Sequence, residues 1–535
     1  MIQDLGTYKT WWLKNVKDFK AGSIYSIEIE YNTTVDIEVY LNFLWENLLV
    51  NSLQCKTIIK ANNNKHTCNV VTNFYQGTNF TGPIQCTISP SNPNDLKKPS
   101  GLMAAVSGNK STFEKLDITN LIIKKKVFDI DAYLGTISCE ELEPTGEVDK
   151  SVILHGFHYK EDGLGAHLCN LYKHVFKDFK HISFNRPLDR LHRNFIFLST
   201  LTNFMPTTLK KHEQDFKWLK LYKKYENAHI RQPLDYKNCK FVHVSGIDLE
   251  SNIIEYNNNL TSWIKNTYDA NTYWYLMWEN TGVSTLKDII PTFDNIVVTN
   301  SWLTDCLKEE YPETEIYKVE HIASFPNFIN NPEPNKFVYG YSGGFWDRKK
   351  VDNIIDAFNA CKTENDYLKL HSRRFVNTPV MMNQLKEHIA QEPNNIILQH
   401  KTLDNEEYQS WWELLNCYVF LSAGESYSIT PRQALLQGIP VILSKNTAHL
   451  DLKDIPGILW VESGDFSDAY YSGRPDDVGS IGMQYNPDMG QAIAQIKEVK
   501  KNYGYWKEEA QKAIPILKQQ VDKANIKASW YSLLN

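Results

Sequence analysis

The chain has 535 residues, a length typical of roughly three to four domains, and its 42% apolar and 22% charged residues are ordinary for a soluble globular protein. A net charge of −6 gives no electrostatic basis for nucleic-acid binding, and nine scattered cysteines without a C-x-x-C pair argue against a zinc site or a disulfide framework and fit a reducing cytosol. Because the N-terminus lacks a signal-peptide pattern and no apolar run approaches the ~18–20 residues of a membrane span, we predict a cytoplasmic protein whose membrane contact is at most peripheral.

Residues 1–148 alternate apolar and polar side chains, as strands of an antiparallel sheet with one buried face do. The alternation is clear in Ile27–Tyr31 and Val35–Leu41, and it returns in Ile84–Ile88 and near Ile130. We therefore predict an appended β-rich domain, a sandwich by its turn spacing. Such a domain could bind carbohydrate or a partner. It could equally be a packing module, or the surface through which the chain forms a homo-oligomer.

From residue 149 onwards, short apolar strands alternate with helical segments, the pattern of doubly wound α/β domains. We predict a first Rossmann-like domain over residues 149–326, a Pro-rich linker over 327–336, a second Rossmann-like domain over 337–501 and a final helix over 502–535. Short apolar segments fit the buried strands of these two domains. In the first domain they are Val152–Leu154, Phe241–Val244 and Ile296–Val298, and in the second they are Phe337–Tyr341, Tyr367–Leu370, Ile396–Leu398 and Cys417–Leu421. Two such domains form a cleft, and ligands bind beyond the carboxyl ends of the strands.

The first domain carries two candidate groups for that cleft. A glycine-containing loop after the first strand, with Asp162, Gly163 and Gly165, can bring backbone N–H groups near a phosphate before a helix that we expect from Ala166. His243 lies near the predicted end of a strand, although a single His in an apolar strand is more often structural.

In the second domain, a glycine pair and a basic pair follow the first predicted strand. Gly343 and Gly344 permit a tight turn and a close approach of the backbone to a ligand. Arg348 and Lys349 then lie where they can neutralise a diphosphate at the strand end. The alternative is a solvated basic turn.

The segment from Gly424 to Ser444 combines a helix start, a helix stop and a buried strand. Thr430 suits the N-cap, Pro431 the first helical position, and Gln433 would complete a capping box with Thr430. Gly438 is the expected stop of this helix, and the apolar run after it predicts a parallel strand.

Glu425 lies in the loop before that helix. Backbone N–H groups at Ser428, Ile429 and Thr430, together with the helix dipole, favour an anion such as a diphosphate. Because a carboxylate repels phosphate, we expect Glu425 to face a neutral group such as sugar hydroxyls.

This segment resembles the E-x7-E region of GT-B glycosyltransferases of the family-4 type. Glu425 matches the first acid, and the matching tail consists of Ala434, Gly438, Pro440, Val441 and Ile442. Gln433 replaces the second acid, and Tyr427-Ser428 replaces the usual Phe-Gly pair. The resemblance implies that Glu425 holds the hydroxyls of the donor sugar, with Tyr427 beside it. Gln433 would contact the ribose, more weakly than a carboxylate, or would only complete the capping box.

The resemblance extends to the basic segment, where the family pattern is roughly G-R-x4-K-G-V-D. Lys349, Val351 and Asp352 match it, but Gly344 stands where the family has Arg and Lys350 where it has Gly. Arg348 is the candidate replacement for the missing arginine.

For the first domain, the resemblance implies that the glycine loop borders the donor phosphate and the acceptor, and that His243 contacts the transferred sugar. The segment around Glu279 resembles the acceptor side of some of these enzymes, although Glu279 could merely pair with a basic neighbour. The final helix would cross back onto the first domain.

The implied activity is a retaining transfer of a hexosyl or deoxyhexosyl group from a nucleotide-diphosphate sugar to a glycan or other hydroxyl acceptor, as in polysaccharide biosynthesis. It needs no cofactor and no protein-bound metal. One alternative is a catalytically weakened GT-B protein that binds glycan or protein. Another is a sugar-nucleotide epimerase or phosphorylase on the same fold.

Overall fold

The computed structural model describes most of the C-terminal two thirds of the chain and separate segments before it. The described residues are 2–5, 8–16, 23–45, 48–59, 61, 65–72, 102–109, 117–126, 134–156, 163–184, 217–218, 220–221, 224, 239–245, 251–323, 325–326, 330–372, 379–391, 395–400, 403, 405–470 and 480–535. The chain divides into one compact unit made of Met1–Glu141 and Pro187–Lys223, and a second made of Leu142–Arg186 and Lys224–Asn535. The stretch Pro187–Lys223, predicted as part of the first Rossmann-like domain, thus groups with the N-terminal residues.

The first unit contains antiparallel strands, as the alternating pattern predicts. They are β1 (Ile2–Leu5), β2 (Tyr8–Val16), β3 (Ser23–Asn32), β4 (Ile37–Trp45), β5 (Leu48–Ile59), β6 (Lys65–Thr72), β7 (Leu102–Asn109) and β8 (Asp117–Lys126). They form sheets in the orders β1-β2-β7-β4-β5 and β6-β3-β8, with antiparallel pairs throughout. Ile84–Ile88 and Ile130 lie outside the described residues, and sandwich packing stays a prediction.

The second unit alternates strands and helices. Its strands are β9 (Val148–Gly156), β10 (Phe179–Phe184), β11 (Lys240–Ser245), β12 (Asn271–Leu276), β13 (Asn295–Val298), β14 (Glu315–Lys318), β15 (Phe337–Ser342), β16 (Asp366–Ser372), β17 (Ile396–His400), β18 (Cys417–Phe420), β19 (Val441–Ser444), β20 (Ile458–Val461), β21 (Ser463–Tyr470) and β22 (Ser480–Pro487). Its helices are α1 (Gly163–His174), α2 (Ser251–Tyr268), α3 (Ser301–Glu310), α4 (Val351–Asn359), α5 (Pro379–Gln391), α6 (Asn405–Glu413), α7 (Ile429–Leu436), α8 (Met489–Lys501), α9 (Tyr503–Gln520) and α10 (Lys523–Leu534). Within the described part of the chain, none of these helices has both the length and the apolar character of a membrane span.

Two parallel sheets of six strands confirm the predicted α/β fold class. Their orders are β10-β9-β11-β12-β13-β14 and β17-β16-β15-β18-β19-β20, and all their pairs are parallel. Their apolar runs are buried on both faces, which is why Val152–Leu154 and Ile296–Val298 are fully inaccessible. In the second sheet the strand order reverses between β15 and β18, and ligands bind at the carboxyl ends of strands at such a point.

The start of helix α1 differs from the prediction. Helix α1 begins at Gly163 rather than at Ala166, so Gly163 and Gly165 lie in its first turn and not in the preceding loop. Asp162 lies outside the described residues. Helix α3 begins at Ser301, and the Asn300 side chain caps it by accepting a hydrogen bond from the Leu303 N–H at 2.8 Å.

The predicted final helix is divided in two, because α9 ends at Gln520 and Asp522 caps a new helix, α10. Helix α10 packs on the first Rossmann-like domain. The buried Trp530 contacts Phe176 with the ring centroids 5.7 Å apart, and the Tyr531 hydroxyl donates to the Val175 carbonyl at 3.2 Å. This is the crossing back that the resemblance implies.

The antiparallel hairpin of β21 and β22 was not predicted. Although it follows the last strand of the second sheet, its Ala469 and Ile481 are buried in the hydrophobic core of the first Rossmann-like domain. The Met483 carbonyl also accepts from the Thr281 N–H at 3.1 Å. The hairpin therefore ties the two Rossmann-like domains together beside the segment that carries Glu279.

Candidate functional site

The basic loop after β15 is shaped by a tight turn and a left-handed residue. A Cβ on Gly343 would lie 2.8 Å from the Tyr341 hydroxyl, which donates to the Gly344 carbonyl at 2.6 Å. Lys350 adopts φ 49° and ψ 45° between a short 3-10 turn, Asp347–Lys349, and helix α4. Lys350 thus has the left-handed backbone conformation that glycine adopts most readily, at the position where the family has Gly.

Glu425 is held in the loop after β18 by its backbone as well as its side chain. Its N–H donates to Thr447 Oγ1 at 2.8 Å, and its carbonyl accepts from the Ala448 N–H at 3.2 Å. Only 9% of its side chain is exposed. The carboxylate therefore has one preferred position, set by residues that follow β19.

The Glu425 carboxylate meets both predicted basic residues. Its Oε1 accepts from Arg348 Nη1 at 3.0 Å, from Ser422 Oγ at 2.6 Å, and from Lys349 Nζ. Burial alone raises the pKa of the Glu425 carboxyl, but the charges of Lys349 and Arg348 and the hydrogen bonds outweigh this effect and lower the pKa to about 2. The site thus holds an ionised carboxylate between two cations.

Arg348 joins this cluster to the first Rossmann-like domain. Its Nη2 donates to Glu279 Oε1 at 3.3 Å, and its Nη1 also donates to the Gly424 carbonyl. Burial lowers the pKa of Arg348, but Glu279 and Glu425 overcome this and raise it. The pKa of Lys349 is lowered by burial and by Arg348, against the opposing effect of Glu425. Glu279 therefore does pair with a basic neighbour, and that neighbour is a predicted catalytic residue.

The depressed pKa of Glu425 predicts an acid-sensitive component of stability. The stabilisation is fully present above the ordinary pKa of 4.5 and is lost as the pH falls through about 2. At 1.36 kcal/mol for each pKa unit, it amounts to roughly 3 kcal/mol. We expect the difference in unfolding free energy between the wild type and Glu425→Gln to narrow as the pH falls below 4.5, measured by urea unfolding. A difference that stays constant down to about pH 3 would contradict this.

The acidic loop also contacts the first Rossmann-like domain directly. The Ser426 carbonyl accepts from Asn300 Nδ2 at 2.8 Å and from the Thr299 hydroxyl, while Ser426 Oγ donates to the Trp278 carbonyl at 3.2 Å. A Cβ on Gly424 would lie 2.0 Å from the Glu279 carbonyl oxygen. Residues of both domains thus position Glu425.

Helix α7 differs from its prediction at the start. It begins at Ile429, with Ser428 and not Thr430 at the N-cap, so Pro431 is its third residue. The predicted capping box is wrong, because Gln433 Nε2 instead donates to the Pro326 carbonyl at 3.0 Å. The stop is confirmed, since Gly438 has φ +67° just after the helix. Contact of Gln433 with a ribose stays a prediction.

Tyr427 belongs to a column of stacked groups that the sequence did not reveal. The Arg432 guanidinium lies 3.9 Å from the centroid of its ring, and His321 stacks on it with the ring centroids 4.9 Å apart. His321 in turn stacks on His167 of α1 at 4.1 Å. Burial, and to a smaller extent Arg432, lowers the pKa of His321 to about 3, so the ring is neutral. No motif marked His321 or Arg432, because stacking depends on the fold.

His243 lies among buried rings of the first domain. Its Nδ1 is 2.5 Å from Nδ1 of His155, its register partner on β9, so one ring donates and the other accepts. It also stacks on Phe293 with the ring centroids 5.7 Å apart. The structure therefore unites Glu425, Arg348, Lys349 and Glu279 in one cluster and places His243 in an aromatic environment. Contact of His243 with a sugar stays a prediction.

Comparison with protein-family models and with curated protein sequences gives no match. Among solved structures, the chain is similar to sucrose-phosphate synthase from Thermosynechococcus elongatus at 10% identity and a TM-score of 0.49, over 72% of this chain and 98% of that one. It is similar to HepE of Anabaena, in complex with UDP and glucose, at 11% identity and a TM-score of 0.49, over 72% and 99% of the two chains. TarM matches at 13% identity and a TM-score of 0.43, over 58% of this chain and 57% of TarM, less than two thirds of its length. The TM-scores of all three lie below 0.5.

Proposed function

We propose that the chain is a GT-B glycosyltransferase that moves a sugar from a nucleotide-diphosphate sugar to a hydroxyl of a glycan or other acceptor. The observation that carries the proposal is the cluster of Glu425, Arg348 and Lys349. It lies in the loops that follow β15 and β18, where the strand order of the second sheet reverses. Helix α7 begins four residues after Glu425 and directs its N-terminus to the same region.

The charges of the cluster suit a donor that is neutral at one end and anionic at the other. Glu425 stays ionised, so it can accept hydrogen bonds from sugar hydroxyls. A diphosphate near the N-terminus of α7 would interact with the helix dipole and with the side chains of Arg348 and Lys349. Both cations already lie within hydrogen-bond distance of Glu425, which supports a proposal in which the groups that bind the sugar and the phosphate are neighbours.

The proposed reaction breaks the bond between the anomeric carbon and the diphosphate oxygen and forms a bond from that carbon to the acceptor oxygen. The acceptor hydroxyl gives its proton to the leaving phosphate. Arg348, Lys349 and the N-terminus of α7 stabilise the negative charge that develops on the diphosphate, the electrostatic form of catalysis. We propose retention of configuration, with no cofactor and no metal ion in these steps.

The other predicted residues take supporting roles in this proposal. Gly343 and Gly344 let the backbone approach the donor, and Tyr427 to Thr430, at the start of α7, bind the donor. Glu279 marks the acceptor side, because it contacts Arg348 from the first domain. Asp162, Gly163 and Gly165 border the acceptor or the phosphate, with Gly163 and Gly165 acting from the first turn of α1.

A catalytically weakened GT-B protein that binds glycan or protein is the second candidate. It is favoured by the three hydrogen bonds to Glu425 Oε1, which a sugar hydroxyl would have to join or replace. The use of the Gln433 amide to hold the Pro326 carbonyl also favours it.

A thermal-shift screen against UDP, GDP, ADP and dTDP sugars tests the proposal. A donor that binds the native state raises the melting temperature by mass action, equivalent to about 2.7 kcal/mol at a concentration of 100 Kd. We expect one nucleotide series to raise it, and the corresponding sugar to be released or transferred on incubation. Binding without turnover would support the weakened protein, and no shift with any donor would contradict the proposed transferase.

A further inference from the structure

We infer that the side-chain hydroxyl of Ser428 is a phosphate-binding group that contacts the diphosphate of the donor. This inference rests on the proposed function and adds to it a side-chain contact that is particular to this chain. The family has Gly at this position, and a glycine can offer only its backbone N–H.

Ser428 adopts a backbone conformation that a serine rarely takes. Its φ of 64° and ψ of 72° lie in the left-handed region, where an L-residue with a Cβ is strained and glycine is not. The residue is 5% exposed. Strain that persists at a buried loop position points to a functional requirement, because a glycine there would remove it.

The hydroxyl of Ser428 is unsatisfied within the described chain. Ser428 is the N-cap of α7, the position where a serine normally accepts a hydrogen bond from the first turn, yet its side chain makes no such bond. Its Oγ is buried without a hydrogen-bond partner among the described residues. A buried unpaired hydroxyl is costly, so this serine carries two costs that a glycine would avoid.

The surroundings of this hydroxyl favour an anion. The first N–H groups of α7 have no acceptor within the helix, and the helix dipole adds partial positive charge at this end. Arg432 approaches from within the helix, with Nη1 3.4 Å from the Ser428 carbonyl and Nε buried without a partner among the described residues. A phosphate oxygen beside Ser428 would accept from the hydroxyl and from the N–H groups of Ile429 and Thr430 together.

The experiment compares Ser428→Gly and Ser428→Ala with the wild type. Binding of UDP, GDP, ADP and inorganic pyrophosphate is measured by calorimetry, together with the melting temperature of each unliganded protein. We expect both variants to bind the preferred nucleoside diphosphate and pyrophosphate about tenfold more weakly, the effect of one charge-assisted hydrogen bond. Ser428→Gly should at the same time melt a few degrees higher, since it relieves the strain that Ser428→Ala retains.

The decisive result is that Ser428→Gly weakens ligand binding while it raises the melting temperature. If Ser428 had only a structural role, its substitution would lower both the affinity and the melting temperature. Affinity within about twofold of the wild type in both variants would overturn the inference and leave the proposed function intact. A wild type that binds none of the four ligands and shows no thermal shift with dTDP sugars would overturn the proposed function, and the inference with it.

Discussion

Glu425→Gln is expected to lower the turnover of the preferred donor by about 100-fold or more, since removing one preorganised electrostatic group from an active site typically costs 10²–10³ in rate. The amide keeps the size of the side chain but cannot accept from Arg348, Lys349 and Ser422 in the same way. It would also donate where sugar hydroxyls are proposed to donate.

The same substitution should destabilise the fold. Arg348 and Lys349, whose side chains are 27% and 14% exposed, would lose their shared carboxylate. Breaking a buried ion pair by removing one partner costs about 3–5 kcal/mol. We expect the lower end of this range, because Arg348 keeps its contact with Glu279 at 3.3 Å.

The measurement is donor turnover at saturating donor, together with urea unfolding near neutral pH. Glu462→Gln is the matched control, because Glu462 also pairs with a lysine, at 2.8 Å, but the two side chains are 42% and 51% exposed. It should change stability by less than about 0.5 kcal/mol and leave turnover unchanged. If Glu425→Gln keeps more than about a tenth of the wild-type turnover, Glu425 has no electrostatic role in the reaction.

Gly424→Ala is expected to impair both folding and activity. The added Cβ would lie 2.0 Å from the carbonyl oxygen of Glu279 and 3.2 Å from its carbonyl carbon. These are backbone atoms of the other Rossmann-like domain and cannot rotate away, so the acidic loop must move. Overpacking of this kind costs about 1–3 kcal/mol.

The displacement would be transmitted to the neighbouring Glu425. A shift of about 1 Å in a catalytic group can cost 10²-fold in rate, so we expect a loss of that order in donor turnover. Gly504→Ala is the control, since a Cβ there meets nothing within 4 Å in helix α9. It should raise stability by about 0.5–1 kcal/mol without affecting turnover. If Gly424→Ala behaves like this control, the contact between the acidic loop and Glu279 has no role in positioning Glu425.

Local sequence patterns predicted the buried elements well where burial of apolar side chains is the dominant requirement. Val441–Ser444 is a strand buried on both faces, and its apolar run and the preceding Gly438 were sufficient to predict it. Glu425, Arg348 and Lys349 could also be selected, because charged residues in loops after buried strands meet at the ends of a parallel sheet.

The start of α7 shows where local signals fail. Thr430, Pro431 and Gln433 form a consistent helix-start signature, yet the helix begins one residue before Thr430. The Pro326 carbonyl, 107 positions away, accepts from Gln433 and competes with the predicted capping box. Local propensity is a weak prior that such long-range contacts override.

The sequence by itself determined the alternation of strands and helices, the two Rossmann-like domains and the chemical character of the residues at the cleft. These follow from periodicity, turn residues and charge, which act between neighbours along the chain. Only the tertiary structure decided that Arg348 links Glu425 to Glu279, that the β21–β22 hairpin enters the core of the first domain, and that Ser428 is strained with an unpaired hydroxyl. The first two depend on groups far apart in sequence, whose approach is set by the packing of two domains and not by any local preference.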